Sequence, residues 1–295
     1  MIAHFVNTYV YYPGCSLTTT NRAYDISTRN VVGVLGIEML DLEDWNCCGA
    51  TAYMAIREKR SFVLSARNLA LAEKAGRDLV TACAGCYLSL HKINKYMAED
   101  PKIRGEIRRA LNAGGMDYTG KVRVRHILDV LVNDLGEEGI KQHVVRPFAG
   151  LKVAPYYGCQ ITRPFGDIDD PEFPKIMDNL LRWIGADPIP FSMKTKCCGG
   201  MLMITQQEAG LELVGQILSQ AKEEGADCIS TACPLCQINL EAYQAKASRT
   251  IGKDCRIPVL YFTQLVGITL GLEPKDLALR DNLTPSEAVI AARSA

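Results

Sequence analysis

The sequence predicts an α/β fold built twice, as two tandem repeats that each form a small open, mostly parallel sheet with flanking helices. Three observations carry this expectation. Cysteines recur at matching spacings in the two halves of the chain, and self-similarity of that kind decides architecture before any element is assigned. Short β-rich runs alternate with helical stretches of about 15 residues, the pattern of βαβ units. A chain of 295 residues is long enough for two ordinary domains, each with a core of its own.

Cys15 is followed after 31 residues by Cys47-Cys48, and then after 34 by Cys83 and Cys86. Cys159 is followed after 37 residues by Cys197-Cys198, and then after 34 by Cys233 and Cys236. The flanks agree as well: Tyr12-Pro13-Gly14-Cys15 against Tyr157-Gly158-Cys159, Cys47-Cys48-Gly49 against Cys197-Cys198-Gly199, and Thr81-Ala82-Cys83 against Thr231-Ala232-Cys233. Ten of the twelve cysteines are in register. Cys228 and Cys255 are not, and lone cysteines of this kind are expected as small buried hydrophobes.

The first strands fall at 9–12 and 152–157, each ending at a Gly-Cys turn. In the first half a helix follows, with apolar Ala23, Ile26, Val31, Val34 and Leu35 and a stop at Gly36. Second strands are expected at 37–42 and 188–191, just before each double cysteine. The next helix is clearest in the second half, where Leu211, Val214, Leu218 and Ala221 keep the spacing of one buried face. Third strands at 78–82 and 227–232 run directly into C-x-x-C. Fourth strands at 122–127 and 259–262 continue into helices. The recurring cysteines then lie at the carboxyl ends of strands one to three, the edge where open α/β sheets bind ligands. The expected domains are 1–145 and 151–280, with a polar tail over 281–295; the polar segment 136–150, with Pro147, separates the halves.

Composition narrows the function. Lys+Arg and Asp+Glu are 33 each with no basic tract, so nucleic acid and anionic membrane surfaces are not expected partners. Residues 1–12 lack the features of a secretory leader, which points to a cytoplasmic, reducing setting. The longest apolar stretch, 257–272, is broken by Thr263, Gln264 and Thr269. It is too short for a membrane span and reads as a buried strand running into a helix.

In a reducing compartment clustered thiols bind metal or do redox chemistry more often than they form disulfides. Five is an odd number for disulfides, and adjacent cysteines rarely meet the required dihedral. A structural zinc site takes four ligands, commonly as two C-x-x-C pairs, and only one such pair occurs per half. Iron–sulfur clusters offer several irons, so adjacent cysteines can each take a different one.

Each half closely resembles the CCG domain, Cys-x(31 to 39)-Cys-Cys-x(34 to 39)-Cys-x-x-Cys, and the doubled motif resembles the B subunit of heterodisulfide reductase or a bacterial relative of it. The resemblance covers roughly residues 9–272. It implies two noncubane 4Fe-4S clusters, one on Cys15, Cys47, Cys48, Cys83 and Cys86, the other on Cys159, Cys197, Cys198, Cys233 and Cys236. It further implies an oxidoreductase that lodges a small-molecule disulfide between the clusters, in methanogenesis the coenzyme M–coenzyme B heterodisulfide, and cleaves it to two thiols. The implied partners are a ferredoxin-like iron–sulfur C subunit and a flavin-bearing A subunit.

Disulfide reduction takes two electrons, and paired one-electron centres that capture each sulfur avoid a free thiyl radical. Arg163, Lys194 and Lys196 beside the second-half cysteines are candidate contacts for anionic tails, whereas Glu43, Asp44 and Trp45 flank the first double cysteine. Tyr12, Tyr156 and Tyr157 are expected to pack against a cluster. His126 reads as a satisfied core histidine, with a proton relay as the alternative. Met201-Leu202-Met203 after Gly199-Gly200 replaces the longer glycine run of methanogen members, which predicts a more apolar cleft floor and leaves another disulfide, or lipoyl-bound sulfur, as substrate. The reading of another class is a non-catalytic electron-transfer subunit of a glycolate-, lactate- or fumarate-metabolising complex. Both cysteine sets are complete, no ferredoxin-type cysteine run is present, and no G-x-G-x-x-G follows a strand, so electrons are expected from a partner.

Overall fold

The structure, a computed structural model, describes residues 7–50 and 52–291. The first six residues of the segment read for a leader and the last four of the tail therefore lie outside the described residues. The first half runs β1 (Asn7–Tyr11), α1 (Gly14–Leu17), α2 (Arg22–Val34), β2 (Ile37–Asp41), α3 (Ala52–Ile56), α4 (Glu58–Ala75), β3 (Leu79–Thr81), α5 (Ala84–Glu99), α6 (Pro101–Ala113), β4 (Val124–His126), α7 (Ile127–Asp129), a π-helical turn over Val130–Leu135 and α8 (Gly136–Lys141). The second runs β5 (Lys152–Tyr156), α9 (Ile176–Trp183), β6 (Asp187–Pro188), α10 (Leu202–Thr205), α11 (Gln207–Glu223), β7 (Cys228–Thr231), α12 (Pro234–Ala242), α13 (Gln244–Ile251), β8 (Val259–Tyr261), α14 (Phe262–Thr269), a 3-10 turn over Leu279–Asp281 and α15 (Glu287–Ala291).

Each half carries a four-stranded sheet, in the orders β2-β1-β3-β4 and β6-β5-β7-β8, and every strand pair is parallel. The inner strands are short and buried along their length, as β3 and β7 are, because helices cover both faces of a parallel sheet. The chain reverses its direction of winding between β1 and β3, and again between β5 and β7. Such a switch point leaves a crevice outside the carboxyl ends of the strands.

Two expectations need correcting. The second strand of the second half is only β6, Asp187–Pro188, rather than 188–191. Pro188 and Pro190 each lack a backbone N–H, which confines prolines to the sheet edge and stops the ladder, and the chain then turns through 192–196 to reach the double cysteine. Val34 is 39% exposed instead of facing the core. It is the last residue of α2, and Leu35 takes the buried place before Gly36 turns the chain at φ +70°.

The halves share one apolar core. Tyr24 of α2 stacks on Tyr261 of β8 at 4.0 Å and 8°, Tyr261 donates to Asn21 Oδ1 at 2.8 Å, and the Ser27 and Thr263 hydroxyls pair at 2.7 Å. The Tyr24 hydroxyl itself is buried without a hydrogen-bond partner. Tyr24→Ala, which empties a buried aromatic site, is expected to cost about 3–5 kcal/mol. Tyr24→Phe, which removes only the unsatisfied hydroxyl, should leave the protein at least as stable as wild type. Urea midpoints of the two variants check this, and a destabilised Tyr24→Phe would refute it.

Candidate metal centre

The ten recurring cysteines lie at the carboxyl edges of the two sheets, five to a half. Cys15 lies in the first turn of α1, two residues after Pro13 and just beyond β1. Its Sγ lies 3.9 Å from Cys47 Sγ, and Gly49 N–H donates to Cys47 Sγ at 3.4 Å. Cys48 Sγ is 3.4 Å from Cys86 Sγ. Cys83 is the N-cap of α5 and its sulfur accepts the Cys86 N–H at 3.4 Å. The second half repeats the scheme in its electrostatics: Cys159 interacts with Cys197, and Cys236 with both Cys198 and Cys233. The remaining first-half thiol, Cys83, interacts with Cys233 across the boundary between the halves, so the two sets abut.

Two glycines make the sulfur packing possible. Gly14 has φ +74°, and a Cβ there would lie 2.8 Å from Cys86 Sγ; Gly158 has φ +69°, and its Cβ would lie 3.0 Å from Cys236 Sγ. Helix N-termini supply the other half of the design, since Cys83 and Cys233 precede α5 and α12, where free N–H groups and the helix dipole favour thiolate.

The electrostatics repeat between halves. The hydrogen bond from Cys15, then one from Cys48, pulls the Cys47 thiol down to about 2, while the same bond pushes Cys15 far up. Cys197 is pulled down to about 6, chiefly by Cys159, whose own thiol rises. Cys233 is lowered by its bonds to Cys236 and Cys83, and Cys83 is raised by the same contact. In each pair one thiol is lowered toward thiolate and its partner raised, and thiolate is the metal-binding form.

Among the described residues no group of three or more Cys, His, Asp or Glu closes around a single ion, as a tetrahedral zinc site requires. The thiols instead line the wall of a cavity of about 350 Å³ that contains Cys15, Cys47, Cys48, Cys83 and Cys86 together with Cys233. Spaced thiol pairs around a cavity fit a cofactor with several metal atoms, and the bare glycines leave the sulfurs room. The donor set fits an iron–sulfur group.

Tyr12 donates to Asn46 O at 2.9 Å and Tyr156 to Lys196 O at 2.7 Å, each pinning the residue before a double cysteine. The counterpart of Tyr12 is thus Tyr156 rather than Tyr157. Tyr157 sits opposite Pro13, and its hydroxyl donates to Asp178 and accepts the Met177 N–H at the start of α9. Cys228 and Cys255 are fully buried, away from the thiol sets.

His126 stands between the halves. Its Nδ1 accepts the Leu128 N–H, so Nε2 carries the proton and lies 2.9 Å from Ala82 O and 3.2 Å from Ala232 O, the carbonyls just before Cys83 and Cys233. Burial pushes its pKa from 6.5 down to about 4. The folded state therefore prefers neutral His126. Its stabilising contribution is full above pH 6.5 and lost as pH falls toward 4, by up to ~1.4 kcal/mol per pH unit. Denaturant midpoints measured across this interval should show the slope, and His126→Gln should flatten it.

The three candidate cations do not line the cavity. Arg163 bonds Thr195, Glu172 and the Pro171 carbonyl, and Lys194 pairs with Asp178 at 2.8 Å. Lys196 is exposed beside Cys197. Nor do Met201, Leu202 and Met203 form the floor: Met203 is buried against Gly210, and the apolar part of the cavity comes from Pro234, Leu235 and Ala50. Sequence reasoning missed the polar residues that brace the cysteine loops. Ser65 donates to Cys48 O at 2.8 Å and Ser61 to Gly49 O at 3.1 Å, and Asn239 reaches Cys198 O and Gly200 O. It also missed Gln160, Ser16, Thr19 and Thr20 in the cavity wall. The available signal was position: Gln160 and Ser16 each follow the first cysteine of a set.

Paired thiols at the switch points of two fused parallel sheets define a tandem cysteine-rich protein whose donor set fits a metal centre. Family comparison matches the cysteine-rich domain CCG over residues 9–91 and 153–241, segments that contain all ten recurring cysteines, and the chain belongs to that family. It is 32% identical over 277 residues to the 8-methylmenaquinol:fumarate reductase membrane anchor subunit of Wolinella succinogenes, covering 93% of this chain and 96% of that one. It is 32% identical to the B subunit of the ferredoxin/F(420)H(2)-dependent CoB-CoM heterodisulfide reductase of Methanosarcina acetivorans, covering 91% of each. It is 33% identical to a protein of Archaeoglobus profundus described as like the B subunit of heterodisulfide reductase, covering 90% and 91%. A hypothetical protein from Helicobacter pylori shares the fold, with a TM-score of 0.74 at 17% identity over 92% of this chain and 51% of that one. No helix among the described residues is long and apolar enough to cross a membrane.

Proposed function

We propose that this chain is the disulfide-reducing subunit of an oxidoreductase complex of the heterodisulfide reductase type, with two noncubane 4Fe-4S clusters. Cys15, Cys47, Cys48, Cys83 and Cys86 hold one, and Cys159, Cys197, Cys198, Cys233 and Cys236 hold the other. The observation that carries this reading is that all five thiols of the first set and Cys233 of the second line one cavity. The archaeal B-subunit relatives, alike over nine-tenths of the chain, support it.

When bound, the clusters supply one-electron chemistry and iron sites for sulfur. The chain's own residues do the rest. The cysteine pairs bind the metal as thiolates, Tyr12, Tyr156 and His126 fix the backbone around them, and Pro234 and Leu235 keep part of the cavity dry. The overall reaction converts a disulfide, two electrons and two protons into two thiols. The electrons come from a partner with iron–sulfur and flavin groups, taken as ferredoxin-like and flavin-bearing subunits. The substrate is the CoB-CoM heterodisulfide in the relatives' names or a related disulfide, and the proposed compartment is the cytoplasm. Lys196 is the one candidate cation left exposed, without an ion pair among the described residues, for an anionic tail.

A second reading is favoured by the fumarate reductase relative: the same chain as an electron-transfer subunit that binds no disulfide. Iron and acid-labile sulfide on anaerobically purified protein, with EPR after adding thiols to the oxidised form, separate the two. About eight irons per chain and a new thiol-dependent signal support the first. The same iron with no response to any thiol supports the second, and zinc in its place removes both.

A further inference from the structure

The cavity beside the thiol sets is asymmetric, and the asymmetry centres on one side chain. All five first-half cysteines reach it, but only Cys233 of the second set does. Between the cysteines of each C-x-x-C, the first half has Ala84-Gly85 and the second Pro234-Leu235. Leu235 fills its position, whereas Gly85 leaves room that Gln160 enters from the other half: a Cβ on Gly85 would lie 2.9 Å from Gln160 Oε1. Gln160 is half-buried and lines the cavity beside six thiols. Among the described residues its amide has no hydrogen-bond partner, which leaves it available to a ligand in the cavity.

Resting on the function proposed above, we propose that Gln160 is a substrate-binding residue, whose amide N–H donates a hydrogen bond to the thiolate sulfur of a ligand bound at the first-half cysteine set. The oxygen of the amide faces Gly85, which leaves the NH₂ arm as the donor. No cationic side chain lines the cavity, whose polar groups besides the cysteines are the Ser16, Thr19 and Thr20 hydroxyls and the Gln160 amide, so hydrogen bonds to a ligand sulfur there come from neutral donors. Backbone and amide donors aimed at an anionic sulfur or oxygen are worth more than neutral pairs.

The test titrates 2-mercaptoethanol into the oxidised, anaerobically purified full-length holoprotein and follows the thiol-dependent EPR signal, with iron per chain measured alongside. Gln160→Leu and the isosteric Gln160→Glu are expected to raise the thiol concentration at half-signal about tenfold or more at unchanged iron. Gly85→Ala, which pushes Gln160 aside, should shift it in the same direction. Half-signal concentrations equal to wild type in both Gln160 variants overturn the inference, and so does loss of iron in both, which makes Gln160 structural. Absence of any thiol signal in wild type overturns the disulfide-reductase reading itself, and with it this one.

Discussion

Cys86→Ser and Cys236→Ser should each lower iron from about eight to about four per chain, whereas Cys228→Ala should leave it unchanged. The argument is geometric. Cys86 closes the first set through its contact with Cys48, and Cys236 closes the second through Cys198 and Cys233. A serine at either place offers a hydroxyl that stays protonated at neutral pH, whereas cysteine binds metal as the far more acidic and softer thiolate. Cys228 is also buried but starts β7, and burial, with the Asp227 charge beside it, pushes its thiol far up, so it behaves as a core residue. Iron and acid-labile sulfide assays decide the matter. Loss of all iron from either serine variant would mean that the sets are not separable, and no loss from either would remove both as ligands.

Gly14→Ala is expected to cost the first set its iron and destabilise the fold, although it adds one methyl group. The backbone there is left-handed, which disfavours a side chain by roughly 1–2 kcal/mol, and the new Cβ would lie 2.8 Å from Cys86 Sγ. The sulfur must move or the turn must open, and the ring of Tyr12, at 3.4 Å, blocks relaxation on the other side. The control is Gly33→Ala, inside α2 with no atom within 4 Å of its Cβ. That change should raise stability by about 0.5–1 kcal/mol, because glycine is costly in a helix interior. Thermal midpoints and iron content on the pair separate a sulfur-packing effect from a general intolerance of alanine.

The cysteine spacing made the duplicated sheets legible because the cysteines punctuate the strands: each set marks the carboxyl ends of strands one to three. Hydrophobic periodicity placed the strand entering each C-x-x-C and the strand-to-helix run at 257–272 to within a residue or two. It failed at β6, where Pro188 and Pro190 look apolar but cannot donate to a ladder. The alignment of Tyr157 with Tyr12 failed for a related reason. Matching the nearest tyrosine ignores that the Gly-Cys turn fixes register, which puts Tyr156 opposite Tyr12. The positive residues Arg163 and Lys194 drew attention by nearness in sequence, yet their carboxylate and carbonyl partners, Glu172, Pro171, Asp178 and Pro174, lie on a segment that sequence distance alone does not fold back. Gln160 and the pairing of Cys83 with Cys233 depend on how the halves meet, and no single-repeat pattern encodes that.

The joint between the halves has a consequence for how the molecule comes into being. His126 bonds carbonyls of both halves, and Tyr24 stacks on Tyr261, so each repeat completes the other's interior. Half of the chain synthesised alone would leave this apolar seam and its thiols open to solvent and to oxidation. The repeat is a unit of sequence, but the buried interior it helps to build is complete only in the pair.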